Sequence, residues 1–273
     1  MLKYPWSVGG NPESPKKWGY YSTERSIVEW ARAKCGHSGF VRSAEAEIMD
    51  WADDITYAIH DLIDFYCAGL IPLHLFLEGT VPEEQPRPST KECERFLRRT
   101  FEREGKLAEE AEANARALLQ ALEVRTIDSP YDGTQPQKRD LWSFSSILIT
   151  RYVNSIRLID PASDPRGRWV AIDPEAKRQT DMLKQLTWDY VILNSDLRSI
   201  QYGQERMIGD LFKVCVDRIV ASDFAFFPRG FSELIRAEEP RTTSPARWAA
   251  DFISGLTERE VYRLHERLIR PTA

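Results

Sequence analysis

The sequence predicts an all-α, multi-helix fold with one small β-hairpin near 155–173. Two observations carry this. Apolar residues recur at three- and four-residue steps through most of the chain, the spacing of one helix face. Only "SIRLIDPASDPRGRWVAID" (155–173) departs from that period, with two short β-prone runs around a Pro/Asp/Gly turn cluster. Apolar residues make up 42 % and charged residues 29 % of the 273 positions, as in ordinary globular proteins. The irregular connections are short, so one helical domain over 1–273 is expected.

Residues 1–24 are rich in Pro, Gly and aromatics and read as an irregular packed segment. A short helix is expected at about 23–34, with Ser22 or Thr23 as N-cap. The helix from Ser43 has the strongest pattern: Ile48, Ala52, Ile55, Ile59, Leu62 and Tyr66 form one stripe. Glu45 and Glu47 suit its positive N-terminal end, and Gly69 followed by Pro72 supplies the stop. A proline-rich connection (80–90) leads to helix over 91–124, broken at Gly105. A loop at 128–140 precedes a helix at about 141–154. Beyond the hairpin, helices are expected at about 174–194, 197–221, 230–237, 244–254 and 257–269.

A formal charge of −5 gives no support to a generally basic nucleic-acid footprint. Cys35, Cys67, Cys93 and Cys215 lie far apart and read as reduced thiols, mostly buried, in a cytoplasmic protein. No apolar run approaches the roughly 18 residues that span a bilayer, so no membrane association is expected.

"EIMDWADDITYAIHDLIDF" (47–65) raises the functional question: five aspartates, and no basic residue between Arg42 and Arg87. At about 100° per residue, Asp50, Asp53, Asp54, Tyr57, His60, Asp61 and Asp64 share a sector of roughly 120°, opposite the apolar stripe. A solvated amphipathic face is one reading. Such faces usually mix signs, however, because like charges one turn apart repel. Trp51, Ala58 and Phe65 also widen the apolar stripe, which directs the acids toward a cleft where they need cations from elsewhere or a divalent metal.

"EAEIMDWADDITYAIHDLIDFYCAGLIPL" closely resembles a segment of the bacterial dGTP triphosphohydrolase family, the dNTPase branch of the HD superfamily. "LKYPW…KKWGYY", "LTWDYVI…Q.GQERMIGDLF" (186–212) and "DFISGLTERE" (251–260) agree with it in order. The resemblance implies an enzyme that splits dNTPs, dGTP foremost, into deoxynucleoside and triphosphate with a divalent metal (Mg or Mn). It implies that Asp53 is a metal ligand and that Tyr57 and Asp61 contact the deoxyribose. Lys3 and one of Lys16 or Lys17 become triphosphate candidates, with Lys17 preferred, and Arg206 a further nucleotide contact. No catalytic acid or base is assigned. The family's His and His-Asp metal ligands have no counterpart among His37, His60, His74 and His265. The resemblance is therefore to a C-terminal portion, needing a complementary N-terminal HD half, and the family's habit implies a homo-oligomer. The alternative is a non-catalytic nucleotide-binding or regulatory module that associates with an intact HD subunit.

Overall fold

The computed structural model describes residues 2–13, 15–34, 39–76, 90–105, 108–124, 127–238 and 243–269. The fold is all-α with a single two-stranded hairpin among these residues. The chain divides into two compact units, Met1–Leu193 and Asn194–Ala273, where the sequence suggested one domain.

In the first unit the N-terminal segment packs without regular structure, burying Trp6, Asn11 and Tyr20. Helix α1 (Arg25–Lys34) follows a 3₁₀ turn at Ser22–Glu24. Neither Ser22 nor Thr23 caps it; both lie inside the turn, and the Glu24 carboxylate accepts from the Tyr21 amide at 2.9 Å. Helix α2 (Ala44–Thr56) starts where expected and is capped by Ser43, whose Oγ accepts from the Ala46 amide at 3.2 Å. A π turn at Tyr57–Asp61, which the periodicity did not reveal, then joins α2 to α3 (Leu62–Cys67). The buried stripe runs through Ala46, Trp51, Ile55, Ala58, Ile59, Leu62 and Tyr66, whereas Ile48 and Ala52 are exposed. The Trp51 indole has far more apolar area to bury than either, and it sets which side faces the core.

Gly69 takes a positive φ of 75° just beyond α3, the conformation that ends helices with glycine. Residues 80–89 of the proline-rich connection lie outside the described residues. Thr90 caps α4 (Lys91–Glu104), its Oγ accepting from the Cys93 amide at 3.2 Å. The predicted break at Gly105 occurs, with φ at 62°, before α5 (Ala108–Leu122). Helix α6 (Gln135–Val153) begins six residues before the expected 141, because Pro136 sits in its first turn, where a missing amide costs nothing. Strands β1 (Ile156–Leu158) and β2 (Val170–Ile172) pair antiparallel, Ile156 opposite Ile172. Helix α7 (Pro174–Thr187) is capped by Asp173 and runs into a second π turn, Trp188–Ile192. The core of this unit holds Trp51, Leu62, Tyr66, Phe76, Phe96, Phe144, Leu148, Tyr152 and Leu183.

The second unit contains α8 (Ser195–Val220), α9 (Arg229–Ala237), α10 (Pro245–Ser254) and α11 (Glu258–Ile269), near the expected bounds. They close over Leu211, Cys215, Phe227, Ile235 and Ile253. Cys93 and Cys215 are buried and Cys67 half-buried, all as free thiols; Cys35 lies outside the described residues. No described helix is long and apolar enough to cross a membrane.

Candidate functional site

The acids of α2 find cations outside their own helix. Lys3 Nζ lies 2.8 Å from Asp50 Oδ1 and 2.7 Å from Asp53 Oδ2. Arg42 donates to the other Asp50 oxygen at 2.7 Å. Asp54, on the opposite edge, accepts from Lys177 at 3.2 Å and Lys184 at 2.9 Å, both on α7. Asp61 has no hydrogen-bond or ion-pair partner among the described residues.

Lys3 reaches this face because its segment is held at several points. The Trp6 indole donates to the Lys17 carbonyl at 2.6 Å, and the Gly19 amide donates to the Trp6 carbonyl at 3.0 Å. Arg32 of α1 donates to the Pro5 carbonyl at 3.2 Å and to the Gly39 carbonyl at 2.8 Å. Lys3 and Lys17 both lie against the Tyr4 ring, their Nζ atoms 5.8 and 5.6 Å from its centre. The structure thus gathers Lys3, Lys17 and Asp53 about one short segment. Tyr57 and Asp61 follow Asp53 along the helix. A π turn takes more residues per turn than an α-helix, so it counters the drift that would carry Asp61 off the Tyr57 face.

Among the described residues the expected enclosure is not present. The Asp53 side chain is 69 % exposed and Tyr57 is 38 % exposed, so this face is open within the described residues. Cations rather than apolar walls answer its charge. Arg206 is exposed on α8 and belongs to the second unit, whereas the other five candidates belong to the first. No three His, Cys, Asp or Glu side chains among the described residues stand close enough to share a metal ion. A divalent ion held by these side chains alone does not fit, since Asp53 has no second ligand and is taken up by Lys3.

The carboxylates divide into two classes. Burial pushes Asp50 and Asp54 up, but Lys3 and Arg42 on Asp50, and Lys184 and Lys177 on Asp54, more than offset it and leave both below 3.8. Asp61 goes the other way: burial and the charge of Asp64 raise it, against a smaller opposing effect of His60. Burial and the Asp61 charge likewise raise the Tyr57 hydroxyl. For Asp50 and Asp54 the folded value lies below the unfolded one, so their stabilisation is present above pH 3.8 and is lost as pH falls through the lowered values. Asp61 has the opposite sign and costs stability once it ionises. A carboxylate ¹³C titration is therefore expected to find Asp50 and Asp54 below 3.8 and Asp61 above it. Asp61→Asn is expected to raise thermal stability at neutral pH; a lower melting temperature would mean that Asp61 is paired for structure.

Residues 170–267 match the model of the phosphohydrolase-associated domain. Over 97 % of its length the chain is 26 % identical to a deoxyguanosinetriphosphate triphosphohydrolase-like protein of Streptomyces coelicolor, covering 60 % of it. The protein of that name from Corynebacterium efficiens is 28 % identical over 96 % of the chain, with 59 % of its own length covered. That from Shewanella pealeana is 24 % identical over 98 %, with 61 % covered. The chain is similar to these triphosphohydrolase-like proteins. The resemblance carried by the acidic helix thus extends over nearly the whole sequence, while the chain spans about 60 % of the length of these triphosphohydrolase-like relatives. The phosphohydrolase-associated match begins at β2, so it includes Lys177 and Lys184 but not Asp53, Tyr57 or Asp61.

Arg42, Glu47, Lys177 and Lys184 took no part in the site read from the sequence. Lys177 and Lys184 stand seven residues apart, two turns of one helix face, which pairs them toward a common acid. Arg42, the last basic residue before the acidic run, carried a positional signal as well.

Proposed function

We propose that this chain supplies the sugar- and phosphate-facing part of a deoxynucleoside triphosphate triphosphohydrolase, with dGTP as substrate. The reaction adds water, breaks the bond between the 5′ oxygen and the first phosphorus, and yields deoxyguanosine and triphosphate. The observation that carries this is the placing of Tyr57 and Asp61 in one π turn, directly after an Asp53 bound to Lys3. Asp61, with no lysine or arginine paired to it among the described residues, is suited to accept a hydrogen bond from the 3′-hydroxyl. The Tyr57 ring provides a surface for the sugar. Lys3 and Lys17 offer positive charge to the phosphates. The names of the relatives support the same substrate class.

A divalent ion, Mg or Mn, belongs to this function as a Lewis acid toward phosphate oxygens. Asp53 would give it one carboxylate, with the remaining ligands supplied from outside the described residues. A complementary HD half and a homo-oligomer complete the proposed assembly, which sedimentation analysis tests. The functional test is chromatography of dGTP incubated with Mg or Mn and this chain, alone and together with an HD subunit of a relative. Deoxyguanosine and triphosphate are the expected products of the mixture. Formation of dGMP and pyrophosphate, or failure of the chain to bind dGTP, would overturn the proposal.

A further inference from the structure

Beside the Lys3–Asp50 pair lies a cavity of about 400 Å³ between the N-terminal segment, residues 40–42 and the hairpin loop. We propose that it is an anion site for the phosphate chain of a nucleotide, with Arg166 of the hairpin loop as a contact residue. This rests on the nucleotide function proposed above and extends it to a residue that neither sequence pattern nor family motif singled out.

Three cations, Lys17, Arg42 and Arg166, line the cavity together with two carboxylates, Glu13 and Asp50. With Arg42 and Asp50 taken as one ion pair, Lys17 and Arg166 stand against Glu13 alone, so the lining keeps a net positive charge. Asp50 is already bound by both Arg42 and Lys3. Lys17 and Arg166 have no carboxylate partner among the described residues.

Arg166 stays free because its loop satisfies the neighbouring acid from within. Asp164 Oδ2 accepts from Arg168 Nη2 at 2.7 Å and Nε at 3.1 Å, while Asp164 Oδ1 accepts from the Arg166 amide at 2.8 Å. The loop is also anchored to α2: the Glu47 carboxylate accepts from the Trp169 and Val170 amides at 3.0 and 2.9 Å. Gly167, at φ 64°, turns the chain against Val41 at the cavity rim. The planar guanidinium of Arg166, which lines the cavity, can donate to two oxygens of a phosphate at once. Asp50 connects the cavity through Lys3 to Asp53, which stands four and eight residues before Tyr57 and Asp61.

The test is titration calorimetry on the full chain with three probes: inorganic triphosphate, deoxyguanosine and dGTP. Triphosphate is expected to bind, and Arg166→Ala to weaken it about ten-fold, the effect of one charged hydrogen bond. Arg166→Lys should recover part of the loss, and deoxyguanosine binding should not change. Should triphosphate bind and respond to Arg166 while deoxyguanosine and dGTP do not bind, the anion site stands and the nucleotide function falls. Unchanged dGTP affinity in both Arg166→Ala and Lys17→Ala overturns the site and leaves the function in place. Triphosphate that fails to bind the unaltered chain overturns the site as well.

Discussion

Gly19→Ala is expected to abolish high-affinity dGTP binding and to destabilise the first unit. A Cβ at position 19 would collide with the Tyr4 carbonyl oxygen, which is backbone and cannot rotate away. One of the two strands of chain must move. Either movement displaces Lys3 from Asp50 and Asp53, because the same segment is fixed by the Gly19 amide on the Trp6 carbonyl and the Trp6 indole on the Lys17 carbonyl. Overpacking of this kind costs about 1–3 kcal/mol. Gly203→Ala in α8 is the control. Nothing lies within 4 Å of a Cβ there, and helix propensity alone predicts a gain of up to about 1 kcal/mol. Urea melts of the two variants should move in opposite directions, and only Gly19→Ala should lose dGTP in calorimetry. If Gly19→Ala binds dGTP normally, the N-terminal segment does not position the phosphate contacts.

Trp51→Ala is expected to have the largest effect on stability, about 3–5 kcal/mol by urea denaturation. Trp51 is 2 % exposed, its ring meets Tyr152 edge-on at 6.5 Å, and its indole donates to the Tyr152 carbonyl at 2.9 Å. The loss comes from packing rather than from that hydrogen bond. The Tyr152 carbonyl also accepts from Ser155 Oγ at 2.7 Å, so removing the indole does not leave it unpaired. Trp51→Phe should therefore retain most of the stability. With total stabilities of about 5–15 kcal/mol for a folded domain, the alanine variant is expected to populate unfolded chain under mild conditions. A loss below about 1 kcal/mol would show that α2 is not anchored through this residue.

The helices were legible because their signals are local. Ser43, Gly69, Gly105 and the Pro/Asp/Gly cluster of the hairpin act where they stand, through caps, positive φ and turn chemistry. The π turns were not legible. An extra residue in a helix arises from packing against other elements and leaves no fixed composition behind. Packing likewise decided that Trp51 and Ala58, read in the sequence as widening the stripe, are buried while Ile48 and Ala52 are not. The acidic face itself was visible, and so was its need for cations, but their identities were not. Lys177 and Lys184 lie more than a hundred positions from Asp54, and only the fold brings them to it. Arg166 was silent in the sequence because its freedom depends on Arg168 having taken Asp164.

Competition between dGTP and its 2′,3′-dideoxy analogue tests the sugar-facing role of the π turn most directly. The chain is expected to bind dGTP about ten-fold more tightly than the analogue, as one hydrogen bond to a charged acceptor provides. In Asp61→Ala that preference should vanish, while the affinity for inorganic triphosphate stays as it was. A preference that survives the loss of Asp61, or an unaltered chain that binds both nucleotides equally, would contradict the assignment of this face to the deoxyribose.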